Sequence, residues 1–154
     1  MKQARPNFGG ASVSAARLAD DVLRLVVPLT PSGNLVDRWK LSRNLRKLSK
    51  LKRDGRSGVH FSVAQLWPGG QVDPRPWAQR ISISIIRCSD TARLVDDDNV
   101  ANGCKYARDA LVTVGLVPDD SPAHVVMGPA ETRTRGNWGD LEGPATHLLI
   151  RRLA

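Results

Sequence analysis

The spacing of apolar residues changes several times along the chain, and each change predicts a new element. Branched apolar residues dominate 21–29, which predicts a strand, and the Pro, Ser, Gly and Asn of 30–34 predict a turn. Leucine and tryptophan then recur mostly every third or fourth position over 35–52, as in a helix with one apolar face. Residues 59–67 and 77–87 alternate with period two, which predicts two strands joined as a hairpin by a Pro/Gly-rich loop.

The last third of the chain predicts one helix and two strands. Helical periodicity runs from residue 93 to 114, and Gly115 is placed as its C-terminal cap. The short apolar runs at 123–128 and 145–153 predict the final strands. These elements indicate an α+β fold with a mainly antiparallel mixed sheet and two principal helices.

Length and composition indicate a single domain. The chain has 154 residues, of which 41% are hydrophobic, and this is enough for one buried core. Residues 1–20 are rich in Gly, Ser and Ala without periodicity and are predicted to be a flexible arm, leaving 21–154 as the domain. With no apolar run long enough to span a bilayer and no apolar signal segment near Met1, we expect a cytoplasmic protein with no membrane partner.

Charge suggests an anionic partner. Lys and Arg number 23 against 15 Asp and Glu, giving a formal net charge of +8, and nucleic acid is the first candidate. The predicted first helix carries a dense basic segment with few acids, and we expect its side chains to contact DNA phosphates. These residues are Arg38, Lys40, Arg43, Arg46, Lys47, Lys50, Lys52 and Arg53. Arg133 and Arg135 could add to this surface from a loop.

A cluster of carboxylates stands out against this positive charge. If the segment before the helix is extended, Asp96 and Asp98 point to one side and Asp97 to the other. Two carboxylates about 4 Å apart repel by roughly 4 kcal/mol at an effective dielectric of 20. A divalent cation would relieve this repulsion, and oxygen ligands alone favour Mg²⁺ or Mn²⁺ over Zn²⁺. The ordinary alternative is that these acids cap a helix and that Asp119 and Asp120 form a turn.

The order of these residues resembles the signature of the RusA-type Holliday junction resolvases, a family common in phages and prophages. The resemblance covers Asp96-x-Asp98-Asn99, Lys105, Asp109-Ala110-Leu111, Gly115 and Asp119-Asp120, about 25 residues in all. The earlier stretch "PLTPSGN" (28–34) is similar to that family's Pro-Ser-x-Asn turn.

The resemblance implies a RusA-like fold and a homodimeric, Mg²⁺-dependent endodeoxyribonuclease that resolves four-way DNA junctions by paired nicks, in recombination and repair. Asp96, Asp98 and Asp120 match the three essential acids and would hold Mg²⁺, with Mn²⁺ as a substitute. Lys105 matches the catalytic lysine, whereas Asp109 matches an acid of less defined role. A non-catalytic DNA-binding or architectural protein remains the alternative, and a nuclease for flaps or other branched DNA is a third.

The sequence departs from the family pattern at one place. The gap between Asn99 and Lys105 is three residues longer. An added helical turn would move Lys105 about 4.5 Å further from Asp98, whereas a bulge at 100–103 would let the helix start later.

The aromatic residues and histidines have more ordinary predicted roles. We interpret Trp39, Trp67 and Trp77 as anchors of the core or a dimer interface, and Trp138, in a Gly-rich loop, as the candidate for stacking on an unpaired base. The histidines lack ligand spacing and are not predicted to bind metal. Cys88 and Cys104 are predicted to be reduced and semi-buried.

Overall fold

The structure is a computed structural model that describes residues 5–10, 13–91 and 95–154. Five strands form one sheet in the order β1-β2-β5-β3-β4, with three antiparallel pairings and a parallel one between β3 and β4. The strands are β1 Ala16–Ala19, β2 Val22–Val27, β3 Ile81–Cys88, β4 Val125–Arg133 and β5 Ala145–Arg152. The helices are α1 Gly33–Leu41, α2 Leu45–Leu66, α3 Asp97–Gly103 and α4 Lys105–Thr113.

The core lies between the sheet and the α2–α4 pair. Leu25, Ile83 and Leu148, from three neighbouring strands, are fully buried beneath Val59 of α2 and Leu111 of α4. Burial of this branched apolar surface is the main force that holds the helices on the sheet. The predicted single-domain α+β fold with a mixed, mainly antiparallel sheet is therefore confirmed, although the described residues contain four helices rather than two principal ones.

The predicted strand at 59–67 is wrong, because these residues complete α2. Its buried positions include Gly55, Val59, Ser62 and Val63, a helical spacing of three or four. The Ser62 hydroxyl bonds both to the backbone N–H of Val26, at 2.9 Å, and to its carbonyl, at 3.0 Å. The predicted hairpin with 77–87 is wrong for the same reason, and β3 pairs instead with β4 and β5.

The predicted N-terminal arm contains a strand. Ala16–Ala19 form β1, paired antiparallel with β2, and the side chains of Phe8 and Val13 are buried beside Val26. At least this part of 1–20 contributes to the fold.

The helix predicted over 93–114 is divided into α3 and α4. Its predicted start at residue 93 lies outside the described residues, and α3 begins at Asp97. Cys104 separates the two helices with φ −95° and ψ 8°. Gly115 has φ +86° and follows the C-cap Val114, so the predicted glycine stop is confirmed. None of the helices in the described ranges is both long and apolar enough to cross a membrane.

Candidate functional site

The three consecutive aspartates lie at the start of α3. Asp96 is the N-cap, with an extended backbone at φ −57° and ψ 145°, and Asp97 and Asp98 form the first turn. The positive end of the helix dipole favours carboxylates here. All three residues are exposed and line one open depression of about 610 Å³. The expectation that Asp97 points away from the other two is wrong, because the helix starts at Asp97 and strand alternation ends there.

Glu131 and Thr132 of β4 complete this acidic depression. Glu131 is exposed and accepts a hydrogen bond from Arg133 Nη2 at 2.9 Å. Thr132 Oγ1 is buried and has no hydrogen-bond partner in the described part of the chain. Sequence reasoning missed both residues because the predicted strand ended at 128, and only its continuation to Arg133 brings them beside α3.

A second, smaller recess lies nearer the start of β4. It has a volume of about 150 Å³ and holds two acids and two cations above Ile83 and Val125. These charged residues are Lys105, Arg108, Asp109 and Asp120. The structure therefore brings Lys105 and Asp120 together, as the resemblance implies, and adds Arg108.

Asp96 and Asp98 do not line the recess that holds Asp120. The donor chemistry suits Mg²⁺, since every candidate ligand is a carboxylate oxygen. However, the described residues contain no group of three or more His, Cys, Asp or Glu side chains that could hold a metal ion. The chain thus supplies suitable ligands in two separate hollows rather than one closed three-carboxylate site.

Asp119 has a different role from its neighbour Asp120. Its Oδ1 accepts the backbone N–H of Ser121 at 2.8 Å, and its Oδ2 lies 3.5 Å from His124 Nε2. Hydrogen bonds from Ser121, first from its side chain and then from its backbone, lower the pKa of Asp119, and His124 lowers it further. Asp119 closes the turn and leaves Asp120 to face the recess.

The segment 31–34 packs directly against α3, and its last two residues begin α1 rather than completing the predicted turn. A Cβ atom on Gly33 would lie 3.0 Å from Asn99 Oδ1 and 3.1 Å from the Asn99 Cα. Ser32 caps α1 by accepting the Leu35 N–H at 3.3 Å. The two stretches that carry the resemblance, far apart in sequence, are therefore in contact.

The longer gap before Lys105 is accommodated by the break at Cys104. Its Sγ lies 3.9 Å from Thr30 Oγ1, and complete burial raises the pKa of the thiol to about 11. Gly103 lies against the carbonyl of Pro31, leaving no space for a side chain. The chain thus keeps a helix over 97–103 and starts a second one at Lys105, combining features of the two expected solutions.

All eight predicted DNA-contacting residues lie on α1, α2 and the segment between them, and all eight are exposed. We call them the basic surface. Lys50 forms an ion pair with Asp54 at 2.6 Å, and Lys47 Nζ lies 5.4 Å from the Trp39 ring centroid. Helix α2 packs closely on α4, where a Cβ on Gly55 would lie 2.9 Å from the Ala107 nitrogen. The basic surface is thereby attached to the helix that starts with Lys105.

Trp138 is not an open stacking platform. It is half-buried, its indole Nε1 donates to the carbonyl of Ser89 at 3.2 Å, and its carbonyl accepts from Arg133 Nη1 at 3.2 Å. Trp77 is buried in the core as predicted, with the Arg152 guanidinium 4.4 Å from its ring centroid. Arg135 is exposed on the loop after β4.

No protein-family model, curated protein or solved structure matches this chain.

Proposed function

We propose that the protein is a Mg²⁺-dependent, structure-specific endodeoxyribonuclease that resolves Holliday junctions or related branched DNA. The observation that carries the proposal is an open acidic depression between the start of α3 and β4. It lies on the same chain as the basic surface of α1 and α2. None of the ion pairs among described residues involves Asp96, Asp97 or Asp98. A protein that only bound DNA would gain affinity by losing such unpaired negative charge near phosphate.

In this proposal the acids and cations have separate tasks. Asp96 and Asp98 in the acidic depression, and Asp120 in the separate recess, are the residues that would hold Mg²⁺. When bound, Mg²⁺ would supply Lewis-acid activation of water and phosphate. Lys105, in the recess with Asp120, would place positive charge near the scissile phosphate, where negative charge increases in the transition state. The basic surface holds the DNA backbone and sets the orientation of the strand.

We further propose that the protein acts as a homodimer. A four-way junction is two-fold symmetric, and a two-fold dimer presents one acidic depression to each of two opposed strands. Paired nicks on those strands follow from that symmetry.

The separation of Asp120 from Asp96 and Asp98 favours a second candidate, a non-catalytic DNA-binding protein. In that case Asp96 only occupies the N-cap position of α3, where its side chain makes no capping hydrogen bond, and Asp119 closes its turn. Neither role needs a metal. The two candidates differ in whether DNA is cut.

Cleavage of a synthetic four-way junction and a linear duplex of the same sequence tests the proposal. Wild type with Mg²⁺ is expected to nick the junction in pairs and to spare the duplex, and EDTA is expected to stop the reaction. Asp98→Asn is expected to bind the junction at least as tightly but to lower cleavage by about 100-fold or more. The matched control is Asp140→Asn, an exposed acid in the loop before β5, and it should cut normally. Tight junction binding by wild type without cleavage under Mg²⁺ or Mn²⁺ would refute the nuclease and favour the binding protein.

A further inference from the structure

A pocket beside the basic surface differs in character from the two charged hollows. It has a volume of about 290 Å³ and is bordered by α1, α2 and the junction of α3 and α4. Leu51 and Ala107 contribute to its apolar lining, and Trp39 and Tyr106 are its aromatic residues. Its volume is near the lower limit of small-molecule pockets, so it suits a group of one or two rings.

The glycines at Gly55 and Gly103 keep the pocket's surrounding elements close together. A side chain at Gly55 would meet the backbone of Ala107, and one at Gly103 would meet Pro31. Arg87 Nε donates to the carbonyl of Thr30 at 2.6 Å and fixes the segment before α1. The pocket is therefore framed by backbone contacts.

The charges around the pocket select an anionic ligand with an aromatic part. Lys47 and Lys50 line it, and both belong to the basic surface. The Lys47 ammonium already lies 5.4 Å from the Trp39 ring centroid, so a cation and an aromatic face are available together. Asp54 also lines the pocket, where its Oδ2 accepts from Lys50 Nζ at 2.6 Å and fixes the position of that ammonium. A nucleotide matches this combination of a flat ring and a phosphate.

We propose that this pocket receives a single unpaired nucleobase of the bound DNA, with Trp39 and Tyr106 stacking on the base and Lys47 and Lys50 contacting its phosphates. The proposal rests on the proposed function, since branched DNA is the substrate that offers a base free of its partner at the branch point. The Lys105 ammonium lies 6.0 Å from the Tyr106 ring centroid, so a base held on Tyr106 brings the adjoining backbone toward the recess of Lys105 and Asp120. Binding of an unpaired base would then favour branched DNA over fully paired DNA, and it would also position the bound strand.

The test measures binding in EDTA by fluorescence polarisation, so that cleavage is not required. Three duplexes of equal length are compared: one fully paired, one with a single unpaired nucleotide, and one with an abasic site in place of that nucleotide's base. Stacking of one base on an aromatic side chain contributes about 1 to 3 kcal/mol to binding. Wild type should therefore bind the duplex with the unpaired nucleotide roughly 5- to 100-fold more tightly than the paired duplex. The abasic duplex should lose this preference, and this comparison needs no protein variant.

Variants then assign the preference to the pocket. Trp39→Leu should reduce it to near unity, and Trp39→Phe should retain most of it. The matched control is Trp67→Leu, because Trp67 is also half-buried and has a cation over its ring, Arg17 at 5.2 Å, outside the pocket. Thermal unfolding of each variant confirms that it is folded.

The outcomes separate this inference from the proposed function. Equal binding of the three duplexes by a wild type that still cuts junctions would overturn the pocket's role and leave the nuclease intact. Failure of wild type to bind any DNA would overturn both.

A second copy of the chain is the competing occupant of the pocket, because Leu41 and Leu45, near Trp39, are 86% and 71% exposed. If Trp39→Leu became monomeric but kept its preference for the unpaired nucleotide, the pocket would be a dimer interface and the base-pocket proposal would be overturned.

Discussion

A Cβ atom on Gly33 would lie 2.8 Å from the Cβ of Asn102, so α1 and α3 meet at a position that admits no side chain. This contact joins the start of α1 to the helix whose N-terminus carries the three aspartates. The same glycine would also crowd the Asn99 backbone, which cannot move without shifting α3. The geometry of the acidic depression therefore depends on a residue that lies outside it.

Gly33→Ala is expected to lower the free energy of unfolding by about 1 to 3 kcal/mol, because the added methyl group must displace α1 from α3. Chemical denaturation monitored by circular dichroism measures this change. Asn34→Ala is the matched control, since Asn34 is the exposed neighbour in the same helix. It should change stability by less than about 0.5 kcal/mol. An equal effect of the two substitutions would contradict the close contact.

Buried histidines should make the fold less stable at mildly acidic pH. Burial lowers the pKa of His147 from its ordinary value of 6.5, and the charge of Arg24 lowers it further, although the hydrogen bond to the Glu142 carbonyl at 2.6 Å acts in the opposite direction. Burial and the nearby Arg56 lower the pKa of His60 as well. Below about pH 6.5 these histidines bind protons in the unfolded chain but remain largely neutral in the folded chain. The free energy of unfolding therefore decreases as the pH falls.

Urea unfolding between pH 8 and pH 5 measures this dependence. The wild-type midpoint is expected to fall across the window, and His147→Gln, which can still donate to Glu142, should flatten the curve. His60→Gln should flatten it less, because His60 is less buried than His147. A midpoint that rises toward pH 5 in wild type would show that the sign is wrong.

The parts of the fold that the sequence predicted correctly are those where the local pattern and tertiary burial agree. The strand β3 is one example: its alternating isoleucines, Ile81, Ile83 and Ile85, are all fully buried. The sequence pattern wrongly predicts a strand in the second half of α2, because the apolar residues Val59, Phe61 and Val63 alternate with polar ones. Their helix packs on β2 at Gly58, where a Cβ would lie 2.8 Å from Val27, and such a contact between distant segments leaves no local signal.

The candidate site was predictable to a similar degree. The motif order located Asp96, Asp98, Lys105 and Asp120, and the structure places them in two hollows bordered by α3, α4 and β4. Glu131 was not predictable, because its position depends on the parallel pairing of β3 with β4. Parallel neighbours are separated by a long connection, and short-range periodicity cannot reveal them.

The basic surface is expected to give DNA binding a steep salt dependence. Arg46→Gln combined with Lys50→Gln should weaken junction binding to a similar extent for every sequence tested. The slope of log K against log salt should become shallower by about 0.9 for each phosphate that the variant no longer neutralises. Binding isotherms at several salt concentrations measure that slope. Arg80→Gln, an exposed cation before β3, is the control and should leave the slope unchanged; an equal change in this control would indicate nonspecific charge attraction rather than a defined surface.

The neighbouring acids Asp119 and Asp120 should respond to substitution in opposite ways. Asp119 accepts the Ser121 N–H at 2.8 Å and closes the turn, whereas Asp120 is exposed at the recess of Lys105. Asp119→Asn keeps the acceptor oxygen but loses the charge that strengthens the Ser121 bond and faces His124, so it should reduce stability slightly and retain junction cleavage. Asp120→Asn should retain stability and lose cleavage. Thermal unfolding and a single-turnover cleavage assay measure the two effects on the same preparations.

The stability effect of Asp119 should also depend on pH. Because its folded-state pKa lies below the ordinary value of 3.8, its contribution is fully present above that value and is lost as the pH falls further. Wild type and Asp119→Asn should therefore differ in stability at pH 6 and converge at low pH. The two assignments would be reversed if Asp119→Asn lost cleavage at full stability while Asp120→Asn cleaved normally. The functional carboxylate would then be Asp119 in the turn rather than Asp120 in the recess.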